Sequence, residues 1–259
     1  MRLSAPFAPG KVCARESPDK LAVLPALVQI LESNTISLGS LEHCVACAIC
    51  QNRKEKRVCP ALAARICAPC CGEQREVTLD CPADCAYLQQ ARQNEQPRTA
   101  HELQNEEMFR NVAIPPQFRY QFEPLIAGLL FTLARLASAH KSWRDRDVIS
   151  AVTDIARDRE RQLRSGLIYQ EASPSPITEM LRVEFERMIA DYRKLEAQKL
   201  SATALKDSDI LSALVLLVRL AQNNTNGRPR SGRFLDGLLA QFPTASNDAA
   251  QSGPTIVLS

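Results

Sequence analysis

A chain of 259 residues, 45% of them hydrophobic, has room for one or two domains with cores of their own. A net charge of +3 names no polyanionic partner, and 5% aromatic content argues against a base-stacking surface for single-stranded nucleic acid. The apolar run 21–31 is broken by Pro25, and 125–139 is shorter than the roughly 20 residues of a membrane helix and carries Arg135, so no membrane partner is expected.

In chain order, residues 1–40 show little pattern and are broken early by Pro6, Pro9 and Gly10. No apolar stretch follows Arg2, so no signal peptide is expected. The next methionine after Met1 is Met108, which suggests a disordered arm or an over-extended reading frame. Residues 41–92 form a cysteine module. Residues 93–117 are polar, end in Ile-Pro-Pro-Gln and read as a linker.

From residue 118 to 242 the pattern is helical. Pro124 suits the first turn of a helix running to about Ser138, with Leu125, Leu129, Leu133 and Leu136 on one face. Asp145 or Asp147 can cap a second helix bearing Val148, Val152 and Ile155. Ser175-Pro176 opens a third, with Ile177, Leu181, Phe185, Met188, Tyr192 and Leu195 at helical spacing. Asp207 or Ser208 caps a fourth, apolar nearly all round and therefore central. A short final helix follows the loop 223–232, and 243–259 reads as a flexible tail. Trp143 and Tyr169 are expected to pack the bundle. The expected fold is mainly α: a small two-zinc cysteine-rich module followed by a four- to five-helix bundle.

All ten cysteines lie at or before residue 85, at 13, 44, 47, 50, 59, 67, 70, 71, 81 and 85. A disulfide framework belongs to short secreted chains, whereas this one has a long cysteine-free remainder rich in apolar residues, so reduced thiols and a cytoplasmic location are expected. The eight from Cys47 onward match two tetrahedral all-cysteine zinc sites. The expected pairing is interleaved: Cys47, Cys50, Cys67 and Cys70 on one ion, Cys59, Cys71, Cys81 and Cys85 on the other. Cys44 and His43 could substitute, and Cys13 is a bystander. Val58 and Ile66 suggest a short hairpin linking Cys59 to Cys67, and 75–79 reads as another strand. Gly72 would give the second knuckle its backbone freedom. A helix starting near Pro82 would put Cys81 and Cys85 on one face. Val77, Leu79, Ile66, Leu62 and Tyr87 make at best a tiny core, which zinc would have to supplement.

This order of C-x2-C, C-P, I-C-x2-C and a helix with two ligands resembles the cross-brace zinc fingers of the HIT, MYND and B-box kinds. The HIT pattern has a further cysteine near position 62 and a late histidine; here both are missing and Cys71 is extra. The resemblance implies interleaved zincs. The string from Cys59 to Arg92, with 165–171, is also similar to a group of bacterial proteins of uncharacterised activity that share a C-P…C-x2-C-C-G…C-P-x-D-C module. That similarity implies a bacterial origin and spans about residues 47–175.

No P-loop, G-x-G-x-x-G, G-x-S-x-G or H-E-x-x-H motif occurs, and an all-sulfur zinc lacks the open position of a catalytic one. The expected function is a non-enzymatic zinc-finger adaptor or regulator acting through an unidentified protein partner, with the bundle available for homo-oligomerisation. One alternative is a nucleic-acid-binding regulator using Arg53, Lys54, Lys56 and Arg57. It is disfavoured because residues 41–92 hold seven basic against six acidic side chains, and eight thiolates with two zinc ions bring the module to about −3. The other is a redox-responsive zinc-thiolate sensor.

Overall fold

A computed structural model describes residues 46–95, 109–166, 175–198 and 205–245. Cys13, His43, Cys44, His101 and Tyr169, the N-terminal 1–40 and most of the expected linker and tail lie outside the described residues. The protein is mainly helical, with a small two-stranded sheet and a cysteine-rich N-terminal region. It divides into two compact units, one ending at Arg75 and the other beginning at Glu76. The sequence reading carried its cysteine module to residue 92, so Cys81, Cys85 and Tyr87 fall in the second unit.

In the first unit, β1 (Arg57–Cys59) and β2 (Ala64–Ile66) form the expected antiparallel hairpin, pairing Val58 with Arg65 and Cys59 with Ala64. Helix α1 (Ala68–Gln74) follows, with Cys67 at its N-cap and Pro69 in its first turn, where proline costs no hydrogen bond. Sequence reasoning missed α1, and Gly72 sits inside it at no special backbone angle. Among the described residues, the buried apolar set of this unit is Cys47, Cys59, Ile66, Cys67, Cys70 and Cys71: one aliphatic side chain among sulfurs. Leu62, expected in the core, is 43% exposed.

The second unit opens with a turn, not the strand expected at 75–79: Glu76 adopts φ 53 and residues 76–78 reverse the chain. Helix α2 (Ala86–Asn94) begins after Cys85, its N-cap, so Cys81 precedes the helix and the two do not share a helix face. Short α3 (Phe118–Gln121) leads into α4 (Glu123–Ala139), α5 (Asp145–Ser165), α6 (Pro176–Ala197), α7 (Asp207–Asn224) and α8 (Arg233–Gln241). The last five are the expected bundle. Helix α7 packs on α4, α5 and α8 and buries Ile210, Leu211, Leu214, Val215, Leu217 and Val218, as its all-round apolarity implied. Trp143 is buried against this core, its ring stacked on His140 at 5.0 Å. Leu195, expected on the apolar face, is exposed near the C-terminal end of α6. Among the described residues no helix is long and apolar enough to cross a membrane.

Ser175 caps α6 ahead of Pro176 as expected, whereas the caps of α5 and α7 lie just before the expected aspartates. Arg144 is the N-cap of α5, and the Asp147 carboxylate reaches back to accept its N–H at 3.0 Å. Lys206 and Asp209 repeat the device at α7, also at 3.0 Å. Asp145 turns inward instead. Its carboxylate accepts from the Ser231 hydroxyl at 2.7 Å and from the Phe234 and Leu235 N–H groups at 3.1 Å, so it caps α8 from another helix.

Candidate metal centre

Two turns supply the ligands. In the first, Cys47-Ala-Ile-Cys50 closes as Gln51 donates its N–H to the Cys47 carbonyl at 2.8 Å, with Gln51 left-handed at φ 52. In the second, Cys67 is the N-cap of α1 and Cys70 lies one turn on, which places both sulfurs on one side. The hairpin holds these turns together. Ala46 bridges Lys54, Ala48 donates to the Arg65 carbonyl at 3.0 Å and Lys56 to that of Ile66 at 2.9 Å. The first turn is thereby laid along the hairpin whose second strand runs straight into Cys67.

The outcome is a closed set: the Sγ atoms of Cys47, Cys50, Cys67 and Cys70 all lie within 4.8 Å of one another. The Cys50 and Cys67 sulfurs are 3.9 Å apart. A disulfide requires about 2.05 Å, and all four thiols are free. Two sulfurs on one tetrahedral zinc at about 2.3 Å each stand about 3.8 Å apart, so the Cys50–Cys67 separation already matches a four-cysteine zinc and the other pairs lie near it. The expected first site is therefore assembled as written.

Its electrostatics suit a cation. Burial pushes the Cys47 thiol up, but the N–H groups of Cys50, Cys67 and Ile49 outweigh it and hold the thiol at about 6. The Asn52 and Arg53 N–H groups lower Cys50 in the same way. Cys70 goes the other way: burial, then its neighbouring sulfurs, raise it. Four thiolates this close repel one another unless a cation sits between them. The Arg53 guanidinium hydrogen-bonds to Cys67, which raises its own pKa. The first of the four basic residues considered for nucleic acid is thus turned to the cluster, while Lys54 and Lys56 are exposed and Arg57 is half-buried.

The other four cysteines divide. Cys59 and Cys71 are buried in the first unit, and Arg75 donates to the Cys71 sulfur at 3.8 Å. Cys81 and Cys85 are half-buried in the second unit. Among the described residues, Cys47, Cys50, Cys67 and Cys70 are the group close enough to hold a metal. Sequence reasoning missed two contributors, the left-handed Gln51 and the Arg53 contact. A turn of the C-x2-C-x type signals the first; nothing local signals the second. Comparisons with protein-family models, curated proteins and solved structures find no match.

Proposed function

We propose that the chain is a non-enzymatic zinc-finger adaptor or regulator that works by protein–protein contact in a reducing compartment. The observation that carries this reading is the closed, all-cysteine set, three of its four members buried and Cys50 half-buried. Four thiolates fill a tetrahedron and leave no position for water or substrate, which is the pattern of a structural zinc and not of a catalytic one. The zinc ligands would be Cys47, Cys50, Cys67 and Cys70, and the metal would fix the two turns on which the hairpin is carried. A unit whose described residues bury one aliphatic side chain would gain its folding free energy chiefly from such an ion, of the order of 10 kcal/mol. Cys59, Cys71, Cys81 and Cys85 match a second ion by their spacing in the sequence.

The test is metal content by mass spectrometry, counted per chain, on protein purified without added zinc, followed by affinity purification. Two zincs support both sites; one supports the first alone; none with paired thiols overturns the reading. A specific protein that accompanies the wild type and is lost on Cys67→Ser supports the adaptor role. Nucleic acid in its place, released steeply by salt, would favour the alternative through Lys54, Lys56 and Arg57.

A further inference from the structure

The β1–β2 hairpin has a tip at odds with its position. Residues 60–63 are Pro-Ala-Leu-Ala, a loop with no polar side chain. Pro60, Leu62 and Ala63 are exposed, and Val58 beside them is 58% exposed. The core makes no use of them: Cys59 and Ile66 are the hairpin's buried residues. Nor does the turn require them. Ala63 takes a left-handed φ of 48, which glycine or asparagine suits better. Exposed loops are ordinarily built from Gly, Asn, Asp and Ser, so four apolar residues here point to something outside the chain.

Around the tip stands a basic collar. Lys54, Lys56 and Arg57 lead into β1 and make this collar, while Arg65, opposite Val58 on the ladder, is ion-paired with Glu55. The strands are three residues long, which sets the collar about 10 Å behind the tip, roughly one Debye length at moderate salt. Ending the first unit at Arg75 also changes its charge. Residues 46–75 carry six basic and two acidic side chains, and stay net positive after four thiolates and one divalent ion are counted. The acidic Glu76, Asp80 and Asp84, which balanced the longer segment, belong to the second unit.

We propose that the apolar hairpin tip and its basic collar form a contact for an anionic membrane surface. The tip is an exposed apolar loop, and a bilayer interface accepts such a loop without a pre-shaped cleft, while anionic headgroups meet Lys54, Lys56 and Arg57 at the level of the collar. Nucleic acid would satisfy the collar and leave Val58 and Leu62 in water. Residues 46–75 also contain no aromatic side chain with which to stack a base or anchor a tight protein hot spot. This contact is peripheral and independent of the adaptor reading.

The test is co-sedimentation of the full, zinc-loaded chain with phosphatidylcholine vesicles and with vesicles containing about three parts in ten phosphatidylserine. Retention by the anionic vesicles alone, weakened by salt, is expected. Lys54→Gln with Lys56→Gln lowers retention roughly twenty-five-fold, from about fivefold per basic residue near such a surface. Leu62→Ser lowers it about threefold or more, and Val58→Ser acts in the same direction. Zinc content is measured on each variant, and only variants retaining the wild-type content are compared. Failure of the wild type to sediment with anionic vesicles overturns the proposal. So does retention untouched by both Leu62→Ser and Val58→Ser, which means a purely electrostatic contact. A co-purifying protein lost on Leu62→Ser, with no vesicle binding, assigns the tip to a protein partner instead.

Discussion

At the residue scale, the four clustered thiols differ in how easily they ionise, and that difference governs metal binding. Zinc takes thiolates, so every proton still on the cluster must leave when the ion enters. Near neutral pH, Cys47 at about 6 is already ionised, whereas Cys70 surrenders its proton to the metal. Zinc affinity should rise with pH through neutrality. Below about pH 6 the dependence should steepen, because Cys47 then binds a proton as well. Competition with a chromophoric chelator from about pH 5 to about pH 8 reads this directly; a flat profile would contradict the assignment. Asp145 poses the opposite case. Burial raises its pKa, so its own titration favours the folded state at acid pH and that advantage fades as the pH rises through the folded-state value. It is not a trigger of acid unfolding. Its value lies in the three donors it satisfies, so Asp145→Ala should cost about 2–4 kcal/mol at neutral pH, read from denaturant midpoints.

At the scale of elements, α2 is secured by charge more than by apolar area. Leu88 is its one buried residue. Arg92 donates to Glu76 at 2.9 Å and to Asp236 of α8 at 2.8 Å, and Glu76, only 1% exposed, also accepts from Asn226 at 2.6 Å. Just beyond the helix, Glu95 pairs with Arg233 at 2.8 Å. Removing one member of a buried pair strands the other, so Glu76→Ala should destabilise the second unit by about 3–5 kcal/mol. The pair Glu76→Leu with Arg92→Met should recover a good part of that loss, since no buried charge is then left alone. Equal destabilisation by the single and the double change would show that packing, not charge, is what Glu76 supplies. The hairpin and α1 are secured differently, through backbone bonds that run directly to the clustered cysteines, and should therefore loosen when the proposed ion is removed.

For the whole molecule, the two units should come apart in their response to a chelator. The helical unit has its own continuous core from Phe109 to Ala245, while the first unit has mainly sulfur. Chelation should unfold the first and leave most of the helical circular dichroism in place; a cooperative loss of both would contradict this. The bundle was legible in the sequence because its signals are local: Pro124 and Pro176 at helix starts, leucines at helical spacing, and an α7 apolar nearly all round. The first metal site was legible because two C-x2-C pairs flank a hairpin whose buried Ile66 and Cys59 alternate with exposed Val58 and Arg65. What stayed hidden depends on long-range partners. Glu76 looked like part of a strand, but Arg92 and Asn226, far along the chain, draw its carboxylate inward and turn the backbone there. Cys81 and Cys85 have helical spacing, yet a turn over Pro82–Cys85 delays the helix from Pro82 to Ala86, so Cys81 precedes it.

Trp143 gives the molecule one more property. It is the chain's single tryptophan, stacked on His140 in the bundle core, while residues 46–75 contain no aromatic side chain at all. Ultraviolet emission therefore watches the helical unit alone. Cobalt placed in the cysteine cluster would absorb in the visible through its bonds to sulfur and watch the other. The protein thus carries two optical channels that do not overlap, and a single titration followed in both colours can record the loss of metal and the melting of helices as separate events.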